Sequence, residues 1–291
     1  IPDFASMRDH SSGWRQRLGK KFARGWVGTD SQWRTLRMRI GMFGTFYFLI
    51  LVFVNFLITT DFGQSMVPGW RDAIFPMYHS ISSFQAGVAA IVIALWAARR
   101  YMHLEKYVHV DAFWSLGRLL FALTLLWVYF FYSSFIVFWY GRSATDISTL
   151  NLLIRGPMMY AFIAAIILIW FVPWWILIWN KVRRSVNGMA IGAAVILVGV
   201  LIDRIRIFVP AWSVPPDQIH EKWLTKIPGT VYPDIFDILI MAGGISLAVL
   251  IILLMTRVIP VLSVWQVQEF NLLSKPIKYV RGQATMIAKP D

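Results

Sequence analysis

The sequence predicts an all-α, polytopic membrane protein with six transmembrane helices. Of its 291 residues 58% are hydrophobic, and the mean hydropathy of +0.60 is too high for a soluble domain. A bilayer core of roughly 30 Å needs about 20 mostly apolar residues in a helix. Backbone polar groups in lipid must be paired within their own segment, so apolar runs of this length are helices. Six windows qualify: 38–60, 73–98, 112–139, 156–180, 187–208 and 233–258.

The charge distribution predicts that both termini lie in the cytoplasm. The net charge is +13, but the basic residues are concentrated in alternate loops, which argues against a nucleic-acid-binding surface. Twenty lysines and arginines lie on one side, in the arm up to Arg39, in the loops after the second and fourth spans, and from Arg257 onward; seven lie on the other side, and Arg118 lies inside the third span. Cytoplasmic loops are the ones enriched in Lys and Arg.

The segment 1–37 is a basic arm with two possible structures. Aromatic and aliphatic residues recur every fourth position, at Trp14, Leu18, Phe22 and Trp26. That spacing fits a helix lying in the cytoplasmic interface. A solvated basic arm attracted to anionic lipid explains the composition equally well.

Proline and small residues predict local features of individual spans and loops. Pro76 lies in the first turns of the second span, where proline is tolerated, whereas Pro173 predicts a kink in the fourth. Small residues in the fifth span allow close helix–helix approach in lipid: Gly188, Gly192, Ala193, Ala194 and Gly199. The loop 209–232 is proline-rich and suits the docking of a partner. After 258 the chain is predicted to be a polar tail.

A few polar residues inside the spans are the candidate proton-relay residues, because ionisable groups in a membrane are costly. All are expected in the outer third of the bilayer: Asp203, His79, Asp237, Tyr132, Ser133 and Tyr160. His79 is either a proton acceptor or a cap for neighbouring polar groups. Asp203, and similarly Asp237, either relays protons or forms a structural ion pair; for Asp203 the expected partner is Arg206, Arg204 or a group on another helix.

The sequence predicts that the chain binds no redox cofactor or metal of its own. It has no cysteine, so it cannot ligate an iron–sulfur cluster or attach haem covalently. A b-type haem needs facing axial ligands, and His79 is the only histidine within a predicted span. No phosphate-binding loop, metal-spaced histidine cluster or nucleophile triad is present, and no catalytic residue is assigned.

Two segments resemble motifs of the NrfD-like (polysulfide reductase membrane-subunit) family. Trp70-Arg71-Asp72-Ala73-Ile74-Phe75-Pro76-Met77-Tyr78 resembles that family's W-x-x-x-I-F-x-x-Y. The run from Val128 to Gly141 is similar to its Y-F-x-F-x-Q-F-x-x-x-W-Y-G segment, with Ser133 or Ser134 where the family often has Gln. Further similarity, at Phe171-Val172-Pro173 and Leu201-Ile202-Asp203-Arg204, extends the resemblance over roughly 60–260. It is strongest to ActC and ActF, the NrfD-like subunits of bacterial alternative complex III.

The resemblance implies a multi-pass subunit of a quinol-oxidising or menaquinol-oxidising electron-transport complex in a bacterial inner membrane, respiratory or photosynthetic. Haem c and iron–sulfur clusters would then belong to partner subunits, beside a second NrfD-like subunit and lipid. Family members typically have ten helices in two four-helix bundles with two flanking helices. This chain would supply the second bundle and the flanking helices, so the residues of the family's quinol pocket, usually associated with the first bundle, have no positions here. Asp203 matches the aspartate of the family's D-R segment.

Two other functions remain open from the residues alone. A secondary transporter would need broken helices and a polar site at the bilayer midplane, whereas the midplane is expected to be apolar. A purely structural scaffold would hold other subunits through the proline-rich loop and the basic arm.

Overall fold

The computed structural model confirms an all-α membrane domain with six membrane-crossing helices. It describes residues 1–229, 231, 233–260, 262–265, 267, 274–279 and 282–287. The six spans are Asp30–Met66, Phe75–Tyr101, Val110–Gly141, Met159–Leu177, Val186–Trp212 and Ile235–Val258. The chain divides into two compact units, one made of 1–44 with 233–291 and the other of 45–232.

Eleven α-helices and one strand pair are assigned in the described residues. The helices are α1 (Pro2–His10), α2 (Gly13–Phe22), α3 (Asp30–Phe62), α4 (Phe75–Tyr101), α5 (Val110–Gly141), α6 (Ala144–Leu150), α7 (Met159–Ile166), α8 (Val172–Leu177), α9 (Asn180–Arg183), α10 (Val186–Trp212) and α11 (Ile235–Val258). The strands are β1 (Ser274–Tyr279) and β2 (Gly282–Ile287), antiparallel, with Ser274 opposite Ile287. A 3₁₀ turn covers Gln64–Met66, and π-helical turns cover Asn151–Arg155 and Ile167–Phe171.

The core of the unit 45–232 is a bundle of four spans: α4, α5, α7–α8 and α10. Its interior is dominated by large side chains that are almost completely buried, among them Phe113, Leu120, Trp127, Ile169 and Ile196. By contrast, the apolar windows of α3 and α11 contain no buried residue. The bundle is therefore the part of the chain that encloses polar groups.

The fourth span is interrupted by a π-helical turn. The predicted window 156–180 corresponds to α7, the π-helical turn Ile167–Phe171 and α8, with Pro173 in the first turn of α8. The ring of a proline removes one backbone donor, so the regular hydrogen-bond ladder cannot continue through this point. π-helical turns of this kind often occur at functional sites.

Close packing of α10 depends on glycine, as its composition predicts. A Cβ atom built on Gly199 would lie 2.8 Å from Leu168 Cβ and from Ile169 Cγ1. On α5, a Cβ on Gly117 would lie 2.8 Å from the sulfur of Met189. Glycine lets the two helix backbones approach without these clashes.

The unit formed by 1–44 and 233–291 adds three details to the sequence analysis. The arm contains two helices, α1 and α2, which pack on each other with the rings of Phe4 and Phe22 5.3 Å apart. α3 begins at Asp30 instead of 38, because a helix can continue past the apolar window in which hydropathy detects it. The predicted polar tail contains the strand pair β1–β2.

Candidate functional site

A buried ion pair on α10 forms the centre of the candidate site. Asp203 and Arg206 are 0% and 4% exposed, and they lie three residues apart, so they share one helix face. Arg206 Nη2 donates to Asp203 Oδ1 at 2.6 Å and Nε donates to the same oxygen at 3.0 Å. From α4, the hydroxyl of Tyr78 donates to Asp203 Oδ2 at 2.7 Å. These three residues, the buried triad, join α4 to α10 inside the bundle.

Each nitrogen of the Arg206 guanidinium has a hydrogen-bond partner. Its Nη1 donates to the Leu153 carbonyl at 3.0 Å, its Nη2 also donates to Tyr78 Oη at 3.1 Å, and it lies 5.3 Å from the centre of the Phe162 ring. A buried charge is tolerable only when it is paired and hydrogen-bonded in this way. The structural ion pair considered for Asp203 is thus present, with Arg206 as the partner.

A second polar network, the His79 network, joins α3, α4 and α10. Asn55 Oδ1 lies 3.2 Å from His79 Nδ1 and accepts from Ser83 Oγ at 2.8 Å. Arg204 Nη2 donates to the His79 carbonyl at 3.2 Å and to Ser83 Oγ at 3.0 Å. His79 is 4% exposed, so the ring is enclosed by these groups and by the aromatic ring of Phe208, 5.6 Å away.

The hydrogen bonds of the His79 network assign the tautomer of the ring. The amide nitrogen of Asn55 donates to the Leu51 carbonyl at 2.9 Å, so its oxygen is the atom that faces His79. An oxygen can only accept, which places the hydrogen of neutral His79 on Nδ1 and leaves a lone pair on Nε2. His79 Nε2 is buried and has no hydrogen-bond partner among the described residues. The network therefore leaves a nitrogen lone pair without a hydrogen-bond partner among the described residues, inside the bundle.

The family-like motif around the start of α4 builds one wall of the triad. Trp70, Phe75 and Tyr78 are all at most 5% exposed. The distance between ring centres is 4.6 Å for Trp70 and Phe75, 6.0 Å for Phe75 and Tyr78, and 5.4 Å for Tyr78 and Trp127. An aromatic wall of this kind excludes bulk water from the triad, so its charges interact more strongly than they would in solvent.

Asp72, which the sequence analysis did not single out, lies within this motif. Its Oδ1 accepts from the backbone N–H groups of Ile74 and Phe75 at 2.8 and 3.1 Å, at the start of α4. Its Oδ2 accepts from Ser134 Oγ at 2.5 Å. Of the two serines that could stand where the family often has Gln, Ser134 is therefore the one that contacts Asp72. Ser133 instead donates to its own helix, at the Tyr129 carbonyl.

A buried polar residue, Gln85, lies part-way along α4 inside the bundle. Gln85, ten residues into α4, is completely buried, and its Nε2 donates to Thr124 Oγ1 at 3.0 Å and contacts the Ile169 carbonyl at 3.4 Å. Ser82, one turn earlier on the same face, is also completely buried. A single glutamine in an apolar helix barely lowers the hydropathy of the window, and only its spacing from Tyr78 and Ser82 could have indicated a buried polar face.

The remaining candidates lie apart from the two networks. Tyr132 and Tyr160 are 58% and 84% exposed. Asp237, in the other unit, completes a capping box at the start of α11, where its carboxylate accepts from the backbone N–H of Asp234 at 3.0 Å. In the described part of the chain, no group of three or more His, Asp or Glu side chains is placed to hold a metal ion.

Comparison with known proteins identifies the family. Residues 24–216, about two thirds of the chain, match the family model for polysulphide reductase, NrfD. No curated protein sequence matches. The matched range contains the buried triad, the His79 network and the aromatic wall. The chain belongs to the NrfD (polysulphide reductase) family, whose members are membrane subunits of quinol-linked oxidoreductases and partner with redox subunits.

Proposed function

We propose that this chain is a membrane subunit of a quinol:electron-acceptor oxidoreductase of the alternative complex III type, similar to ActC or ActF, in a bacterial inner membrane. Family membership and the two motifs at 70–78 and 128–141 support this assignment. The alternating distribution of basic residues supports an orientation with both termini in the cytoplasm. In that orientation the triad and the His79 network lie near the outer face.

Electrons would travel through partner subunits. The chain has no cysteine, and we propose that haem c and iron–sulfur subunits, with a second NrfD-like subunit, carry the redox centres for the oxidation of quinol or menaquinol. This chain would anchor those subunits in the membrane.

The chemistry that we propose for the chain itself is proton transfer near the outer face. The observation that carries this proposal is the bare Nε2 of His79, buried beside Arg204 and held in one tautomer by Asn55. A neutral imidazole with a free lone pair can accept a proton released when a quinol is oxidised. The neighbouring triad offers Asp203, the partner of Arg206, as a second proton acceptor along the route.

The test is made on the assembled complex, purified from membranes and reconstituted in liposomes. An absorption spectrum and a subunit list establish whether haem and iron–sulfur proteins accompany the chain. His79→Gln and Asp203→Asn are then compared with His103→Gln, an exposed histidine outside the networks. We expect quinol turnover and proton release to fall in the first two variants and to stay at the wild-type rate in the third.

Unchanged turnover and unchanged proton release in both His79→Gln and Asp203→Asn would refute the proton role and leave a structural anchor. A complex that contains no redox subunit would refute the oxidoreductase assignment. Transport of a solute by the chain alone would instead support the secondary-transporter hypothesis.

A further inference from the structure

Three arginines lie close to the aromatic side chains of α5, at the end of the bundle where α5 and α10 begin. Trp114 and Arg118 are four residues apart, so they share one face of α5. The guanidinium carbon of Arg118 lies 4.0 Å from the centre of the Trp114 ring, and that of Arg184 lies 5.4 Å from it. The guanidinium carbon of Arg183 lies 5.8 Å from the centre of the Phe121 ring. These three residues, Arg118, Arg183 and Arg184, form the arginine cluster.

The positive charge of the arginine cluster has no counter-charge within the described part of the chain. None of the three side chains forms an ion pair with a carboxylate there. Asp111, the only other ionisable residue at this end of α5, is exposed and precedes Arg118 by seven residues, about 10 Å of helix rise. Arg118 and Arg184 lie beside the same ring, within about 10 Å of each other, so their charges repel at ordinary ionic strength. A bound anion would offset this repulsion.

Two buried donors beside the cluster also lack an acceptor. The indole Nε1 of Trp114 and the guanidinium Nε of Arg183 are buried without a hydrogen-bond partner among the described residues. The stem of Arg183 packs against α5, since a Cβ atom built on Gly117 would lie 3.2 Å from Arg183 Cγ. Indole and guanidinium nitrogens can only donate, and buried polar atoms are normally satisfied. Both the charge and the donors therefore favour an anionic acceptor.

The place of the cluster along α5 selects the kind of anion. Arg118 is eight residues, about 12 Å, into a membrane-spanning helix. Phe121 and Leu125 continue the same helix face beyond it, and Leu125 is 40% exposed. This face offers apolar surface for acyl chains next to a cationic surface for a head group. Guanidinium groups pair with phosphate oxygens, and basic pockets between transmembrane helices bind the head groups of anionic lipids.

We propose that the arginine cluster and Trp114 bind the phosphate group of an anionic phospholipid whose acyl chains lie along Phe121 and Leu125. The phosphate oxygens accept from the guanidinium groups and from the indole N–H. The bound lipid links the first turns of α5 to the segment between α8 and α10. In the orientation proposed above, the site lies in the cytoplasmic leaflet, and it is independent of the proton-transfer role.

The test uses the intact complex in nanodiscs that contain a low fraction of photoactivatable phosphatidylglycerol. Lipid attached to residues 110–125 is quantified by mass spectrometry of peptides. Arg118→Gln/Arg184→Gln removes two charges of the cluster, and Arg100→Gln is the control, an exposed arginine at the end of α4. A basic residue near an anionic surface strengthens lipid binding about fivefold. Labelling should therefore fall about 25-fold in the double variant and stay at the wild-type level in Arg100→Gln.

Two further arms test the donor and the charge of the lipid. Trp114→Phe keeps an aromatic ring but removes the indole N–H, so labelling should fall about fivefold, the loss expected for one hydrogen bond. Photoactivatable phosphatidylcholine carries a positive choline group beside its phosphate. It should label the wild-type segment less than phosphatidylglycerol does, and the double variant should change its labelling less.

Labelling by phosphatidylglycerol at the wild-type level in the double variant would overturn the site. Loss of labelling in the wild type when inorganic phosphate is added at constant ionic strength would also overturn it, because a free anion would then occupy the cluster. Labelling that occurs only after the subunits are separated would show that a protein partner covers the cluster instead of lipid. Should the double variant fail to assemble, Arg184→Gln alone decides, with an expected fivefold loss, because that side chain is exposed.

Discussion

Replacing Gln85 with Leu should destabilise the bundle through one particular backbone carbonyl. In an uninterrupted α-helix the N–H of residue 173 would bond the Ile169 carbonyl, but Pro173 has none. Gln85 Nε2 contacts that oxygen at 3.4 Å and donates to Thr124 at 3.0 Å. Hydrogen bonds between helices in lipid average about 0.6 kcal/mol and reach about 1.7 kcal/mol, so losing both should cost about 1–2 kcal/mol.

A double-mutant cycle isolates the part of this stability loss that depends on Pro173. Pro173→Ala returns an N–H to the helix, so Gln85→Leu in that background should cost only the bond to Thr124, about 0.6 kcal/mol. The free energy of unfolding is measured by SDS titration of the purified chain in detergent, followed by tryptophan fluorescence. Ser133→Ala is the control, since Ser133 bonds only within its own helix in the described structure. An equal cost of Gln85→Leu with and without Pro173 would refute the reasoning.

Three further predictions concern packing, capping and exposed groups. Gly199→Ala should destabilise the chain by about 1–3 kcal/mol in the same SDS titration, because the new methyl group overpacks the helix contact. Gly87→Ala is the control and should not destabilise the chain, since no atom lies within 4 Å of the added methyl group. Equal effects of the two variants would contradict the packing argument. Asp234→Ala should cost about 1 kcal/mol by removing the N-cap of α11, with loss of helicity measured by circular dichroism, and no loss would show that the cap is dispensable. Tyr160→Phe should leave turnover of the complex unchanged, since that side chain is 84% exposed, and a slower complex would restore Tyr160 as a relay candidate.

The number and class of the helices could be predicted because lipid imposes one strict condition, the internal pairing of every backbone group. The positions of Asp203 and His79 on their helices also followed from periodicity. The pairing of Asp203 with Arg206, three residues along the same helix, was also among the expectations. Tyr78 and Asn55 were not predicted as partners, since they reach Asp203 and His79 only when α3, α4 and α10 pack together.

The missed features share a physical cause. Asp72 lies outside the apolar windows, so the search for polar groups within spans did not reach it. Gln85 lies inside a window whose average hydropathy hides it. The π-helical turn before Pro173 packs against Gly199, and its Ile169 carbonyl contacts Gln85 of another helix; the local sequence indicates neither contact.

The two polar networks also determine how the membrane potential acts on this region. Arg206 pairs with the Asp203 carboxylate, whereas Arg204 donates to His79 and Ser83 and has no carboxylate partner among the described residues. A unit charge that crosses the whole membrane changes energy by about 2.3 kcal/mol per 100 mV, and a charge part-way across senses a fraction of that. A proton on His79 would join a neighbourhood that is already positive. Under the proton-transfer role proposed above, this arrangement favours passing a proton on over retaining it.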